Sequence, residues 1–288
     1  MGMATDTAKR LSTGIDRRFL EVAPKDGSTF GTPLDLNLVG LRTLYLKEVR
    51  RFLKVFGQTL IAPLVTTLIF LAIFAMALGG ARRTIGDLPY LEFLAPGLIM
   101  MAIVQNAFAN TSSAILIAKV QGNIVDYLMP PLSPGELVFG VVAGGVTRGV
   151  LVGIVVATAM IPFVGLSVPH PFLLVHTVLM ASTMLSLLGL LGGLWAEKFD
   201  QMAAVTNYVI TPLSFLSGTF YSIHDLPEPF HLLALANPFF YMIDGVRYAL
   251  TGHADGWPWV GALILTVTVV VLWAVAYRAF ARGWRLKA

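Results

Sequence analysis

Long runs without charge dominate this sequence. Lys54 and Arg82 bracket the first, and Glu92 and Lys119 the second. Glu136 opens a third, which ends near Pro162 and carries one charge, Arg148. A fourth lies between Pro171 and Glu197, a fifth between Asp200 and Asp225, and a sixth between Asp255 and Arg278. About 20 apolar residues carry a helix across the hydrocarbon core, so each run reads as one spanning helix. Charged residues make up 12% of the chain and hydrophobic ones 56%. A soluble domain carries about 25% charged residues. The class expected is an all-α integral membrane protein with six spans.

Six spans put both ends on one side, and basic residues choose the side. With both termini cytoplasmic, 16 of the 20 Lys and Arg fall inside and three (Arg82, Arg83, Arg247) outside, leaving Arg148 within a span. The net charge of +4 is then topological, and nucleic acid is not an expected partner. The chain has no cysteine, which excludes disulfides and thiolate chemistry. Residues 1–35 are polar, include Pro24, Gly27, Gly31 and Pro33, and read as a flexible cytoplasmic tail rather than a signal peptide.

Three segments outside the spans are too apolar to be idle. In residues 36–56, Leu38, Leu41, Tyr45, Val49, Phe52 and Phe56 share one helical face, and Lys47, Arg50, Arg51 and Lys54 the other, with Arg42 and Glu48 near the boundary. That pattern predicts an amphipathic interfacial helix with its basic residues toward lipid phosphates or a partner. Residues 119–134 carry only Lys119 and Asp126 as charges. A short helix over 121–129, stopped by Pro130 and Pro131, would offer Tyr127, Leu128 and Met129 to another protein or pack them on the chain's own helix ends. Residues 225–252 form two apolar pieces divided at Asn237-Pro238, each too short to span. They read as external re-entrant helices between spans five and six. Asp225 and Glu228 mark the start of the first, and Asp244 and Arg247, three apart on the second, are positioned to pair.

Chemical motifs are sparse. No GxxxxGK[ST] phosphate loop and no His-Glu-x-x-His helix occurs, and the five histidines lack metal-ligand spacing. No cofactor is expected in the chain itself. Gly140, Gly144, Gly145, Gly149 and Gly153 form overlapping GxxxG pairs in the third span, a signal for close helix packing, within the chain or at a dimer seam. Arg148 lies near mid-span, where a charge costs at least about 2.5 kcal/mol. Gln105 and Asn106 sit at matching depth in the antiparallel second span. Arg148 is either bonded to those amides or a contact for an anionic cargo head group.

Phe215-Leu216-Ser217-Gly218-Thr219-Phe220-Tyr221, then Leu226-Pro227, Asn237-Pro238, Asp244 and Arg247, resemble the C-terminal pattern of type-2 ABC exporter permeases. The stretch from Asp126 to Glu136, with its ProLeuSerPro run, resembles that family's coupling segment. The resemblance spans about residues 36–285. It implies an inner-membrane permease that dimerises and docks two ATP-binding subunits, which would hold ATP and Mg. It also makes 36–56 a connecting helix, with Lys47, Glu48, Arg50 and Arg51 as its polar residues. It makes 121–129 a coupling helix, with Gly122, Asp126, Tyr127, Leu128 and Met129 as the ATPase-coupling set. Residues 225–252 would cap the outer end of the pathway. Family cargoes include lipids, polysaccharides and drugs. Spans two and five are expected to line the path, with Gln105, Asn106, Asn207 and Phe215 on them and Arg148 of the third span as its candidate residues and Pro212 as a kink. The rival class is an ion-coupled secondary transporter. It wants intramembrane acids, and the spans offer none at mid-depth. A membrane enzyme would need a converging catalytic cluster, which the sequence lacks.

Overall fold

A computed structural model describes residues 37–78, 84–85, 88–165 and 167–285. The expected tail over 1–35 lies outside the described residues. Helix α1 (Leu38–Leu53) starts at Asn37, whose side-chain oxygen accepts from the Gly40 N–H at 2.9 Å. A π-helical turn (Gly57–Ile61) leads into α2 (Ala62–Leu78). A two-residue antiparallel pair, β1 (Thr84–Ile85) and β2 (Leu88–Pro89), precedes α3 (Tyr90–Val120). Then come α4 (Val125–Leu128), α5 (Pro134–Val164) and α6 (Pro171–Trp195). The ProLeuSerPro run is the start of α5: Ser133 is its N-cap, Pro134 its first residue, and Glu136 completes a capping box.

Five helices are long and apolar enough to cross a bilayer: Gly57–Ala77, Tyr90–Val120, Pro134–Val164, Pro171–Trp195 and Pro258–Ala281 (α11). They match five of the six expected runs and make this a multi-pass membrane protein. The remaining run is helical but broken, as α7 (Phe199–Val205), a π-turn (Thr206–Ile210) and α8 (Thr211–Leu216). The expected Pro212 kink falls just after this π-turn. Proline lacks an N–H, and the Thr211 N–H reaches five residues back to the Thr206 carbonyl oxygen.

After a 3-10 turn (Ile223–Asp225), α9 (Glu228–Ala236) and α10 (Pro238–Thr251) follow, joined only by Asn237. Their boundaries fit the expected short pair, and Gly252 closes α10 in the left-handed region, at φ 75°. The start differs from expectation. Asp225 belongs to the 3-10 turn, and Pro227 stands at the N-cap of α9.

The core is built around α3. The most apolar stretch of α3 is 83% buried, against 17% for the Gly57–Ala77 helix and 22% for α11. Helices α5, α6, α2 and α10 surround it. The glycine stripe of α5 makes this possible. A Cβ on Gly153 would lie 2.6 Å from Ile103 of α3, and one on Gly145 2.7 Å from Thr111. The glycines therefore serve packing within the chain. Thr111 then donates to the Ser186 carbonyl oxygen of α6 at 2.8 Å. At the Val120 end of α3, buried Lys119 donates to the Leu194 and Ala196 carbonyl oxygens, capping the C-terminus of α6.

Candidate functional site

The expected site residues fall into three zones along α3. At its Val120 end, α1 runs beside the first three turns of α5. Leu44 and Glu48 press on Gly140 and Gly144; a Cβ on Gly144 would stand 2.5 Å from the Glu48 Cβ. The buried face of α1 is Leu44, Glu48 and Phe52. This is a rotation from the apolar face read off the sequence: Leu38 and Phe56 are exposed, and Glu48 is fully buried. Arg51 also turns inward, away from lipid phosphates. Its Nε and Nη2 donate to Glu48 Oε2 at 3.1 and 2.9 Å. Nη2 also donates to the Asn110 carbonyl oxygen at 2.7 Å and Nη1 to Ser113 Oγ at 3.1 Å, both on α3. Lys47 and Arg50 stay exposed.

The segment between α3 and α5 is shorter than the helix expected over 121–129. Gly122 adopts φ 72° and ends α3, so helix forms only over Val125–Leu128. Leu128 and Met129 point out, with Met129 77% exposed, and Val125 and Asp126 join them at the surface. Tyr127 does not. It is buried, its hydroxyl donating to Glu48 Oε1 at 2.7 Å and its ring lying 3.6 Å from Lys47 Nζ. The expected outward set of Tyr127, Leu128 and Met129 is thus divided between the protein's interior and its surface.

At mid-depth, Arg148 Nε and Nη2 donate to Asn106 Oδ1 at 3.3 and 3.0 Å. Of the two amides expected to bind it, Asn106 does so. Gln105 instead lines a cleft of about 250 Å³ between α2 and α3, with Gln58, Thr66, Thr67 and Asn106 as its polar wall and Phe70, Met101 and Phe220 among its apolar lining. Phe215 reaches this cleft indirectly, packed on Phe220 at 5.4 Å between ring centroids. Asn207 does not reach it; it is exposed on the π-turn. Gln58, Thr66, Asn110 and Ser113 were missed. Their signal is a polar residue in an apolar run; Asn106, Asn110 and Ser113 repeat at helical spacing and share one face of α3.

At the Tyr90 end, Arg247 is fully buried. Its Nη2 donates to the Gly218 carbonyl oxygen at 2.6 Å and its Nε to the Phe93 carbonyl oxygen at 3.3 Å, with the guanidinium 3.7 Å from the Phe93 ring. Its ion pair is with Asp255, at 3.8 Å. The expected pairing with Asp244 is absent among the described residues. Asp244 accepts from the Asp255 and Gly256 N–H groups at 2.7 and 3.0 Å. An acid outside α10 lies closer in space than the one a turn away.

A profile of the ABC-2 type transporter family matches residues 40–251. The chain belongs to that family. It is 36% identical to the inner membrane transport permease YadH of Escherichia coli K12 over 244 residues, 85% of this chain and 93% of the relative. It is 28% identical to nodulation protein J of Rhizobium leguminosarum bv. trifolii over 220 residues, 73% of this chain and 82% of that protein. The family match runs from within α1 to the end of α10 and stops short of Asp255, the ion-pair partner of Arg247.

Proposed function

We propose that this chain is the membrane subunit of an ATP-driven exporter of the inner membrane, paired with a second copy and docked to two ATP-binding subunits that hold ATP and Mg. Its six spans leave both termini in the cytoplasm, with the broken α7–α8 stretch as the fifth and α9–α10 entering the outer leaflet without crossing it. Cargo is a lipid, polysaccharide or drug-like molecule, and Gln105, Asn106 and the α2–α3 cleft lie on its path.

The observation that carries this reading is the exposed apolar tip at Val125, Leu128 and Met129. Such anchors suit helix-in-groove docking, and their placement on the cytoplasmic side follows from the basic-residue count. The chain's own motifs include no phosphate loop, so the energy reaches it through contact. ATP binding then biases an equilibrium between inward- and outward-open states.

The test is affinity purification of the tagged protein from its native membrane. An ATPase should accompany it, and the double substitution Leu128→Asp/Met129→Asp should remove that ATPase while leaving permease levels intact. Cargo movement by the purified permease alone would overturn the reading.

A further inference from the structure

Residues 121–134 are built to pivot. Gly122 takes a left-handed conformation with open space around it, and Pro130-Pro131 follow the four-residue helix α4. Pushed from outside, such a segment would swing on its two ends without moving α3 or α5. Ile124, buried ahead of α4, and an Asn37 Nδ2 bond to the Pro131 carbonyl oxygen at 3.2 Å steady its two ends; within α4 itself one side chain holds it. Tyr127 is the buried residue of α4, and its hydroxyl is bonded to Glu48.

Packing alone does not require that bond. A carboxylate is expensive to remove from water unless both oxygens are matched. Glu48 has both matched from different elements: Oε1 by Tyr127 of α4 and Oε2 by Arg51 of its own helix. Arg51 ends on Asn110 and Ser113 of α3. One turn along α3, Asn106 holds Arg148 of α5. The hydrogen bonds therefore run without a gap from α4, through α1, to α3, and the next turn of α3 carries the mid-depth polar pair. Burial and the neighbouring carboxylate push the Tyr127 hydroxyl above its ordinary range, so it stays a donor at physiological pH.

We infer that Tyr127, Glu48 and Arg51 form the mechanical linkage that makes α4 move as one body with α1 and α3, with Glu48 as the positioning residue at its centre. The inference rests on the proposed docking role of α4. Leu128 and Met129 face the partner; Tyr127 faces inward and carries the motion.

The test uses the full complex with its copurifying ATPase. The chain has no cysteine, so Ala109→Cys, on an exposed position of α3, takes a single spin label per copy. In the otherwise unsubstituted complex, ATP with vanadate should shift the label-to-label distance between copies. Adding Tyr127→Phe, which keeps the ring against Lys47, should leave ATPase binding and basal hydrolysis in place. It should also lower the ratio of shifted to unshifted complexes at least about tenfold, the size of one hydrogen bond to a charged acceptor. Glu48→Gln, which keeps an oxygen for Tyr127 but drops the charge facing Arg51, should fall between the two. A full shift in Tyr127→Phe overturns the linkage. So does loss of folded protein in both variants, which would make the network a scaffold only. If no ATPase accompanies the unsubstituted chain, or its labels give no distance between copies, the subunit reading itself fails.

Discussion

At the scale of single residues, contacts from distant parts of the chain decide which polar groups are buried. Gly144 and Gly135 lie nine residues apart in α5 and should respond oppositely to alanine. A Cβ on Gly144 would stand 2.5 Å from the Glu48 Cβ, whereas one on Gly135 would meet Tyr277 at an ordinary 3.8 Å. Gly144→Ala should destabilise by about 1–3 kcal/mol through overpacking. Gly135→Ala should be neutral or stabilising by up to about 1 kcal/mol, since alanine is the better helix former. Thermal unfolding in detergent reads both. Arg247→Met should be more damaging, about 3–5 kcal/mol, because it removes the guanidinium from beside Asp255, which among the described residues keeps only the Ile223 N–H and His253, and takes a donor from two carbonyl oxygens. Expressed protein should then drop sharply in the membrane fraction. The Arg148–Asn106 contact was legible in the sequence, because antiparallel spans place residues at matching depth. The burial of Glu48 was not. Hydropathy scores one side chain at a time, while Glu48 is satisfied by Tyr127, 79 positions away.

At the scale of elements, legibility follows the sharpness of the boundaries. Five spans announce themselves because charges or prolines bracket long apolar cores. The run after Asp200 is weaker: Gln201, Thr206, Asn207 and Thr211 dilute it, and neither hydropathy nor residue spacing marks the π-turn over Thr206–Ile210. The joint between α9 and α10 was legible as Asn237-Pro238, but its chemistry was not. The Asn237 side chain caps α10 through the Phe239 N–H. It also donates to the Leu213 carbonyl oxygen and to Ser217 Oγ, tying the joint to α8. Asn237→Ala should therefore cost more than an ordinary cap. We expect about 1–2 kcal/mol for the lost cap and about 1–3 kcal/mol more for the buried groups left unpaired. Asn237→Asp should recover only the cap. Denaturation of the two variants side by side separates these contributions.

At the scale of the whole molecule, the number of crossings decides which loops share a side of the membrane, and with it whether a cytoplasmic ATPase can reach α4. Helices α3 and α5 each have 31 residues. At 1.5 Å per residue that is about 46 Å, well beyond the hydrocarbon thickness of about 30 Å. Standing upright, each would extend beyond the hydrocarbon, tilt taking up part of the surplus, and the Val120 end of α3 leads straight into α4. Six spans put α4 and the C-terminal end of α11 on one side and Trp257 on the other. If α7–α8 did not cross, Trp257 would share the side of α4, and α11 would carry the C-terminus across. Because the chain lacks cysteine, single cysteines at Met129, Trp257 and Arg282, all exposed, report without background. A membrane-impermeant maleimide should modify Trp257→Cys in intact cells, and Met129→Cys and Arg282→Cys only after permeabilisation. Modification of Met129→Cys from outside would remove the docking tip from the reach of any cytoplasmic ATPase. Equal protection of Trp257→Cys and Met129→Cys, with Arg282→Cys exposed, would instead indicate five spans and place the basic C-terminal turn on the wrong side of the charge rule.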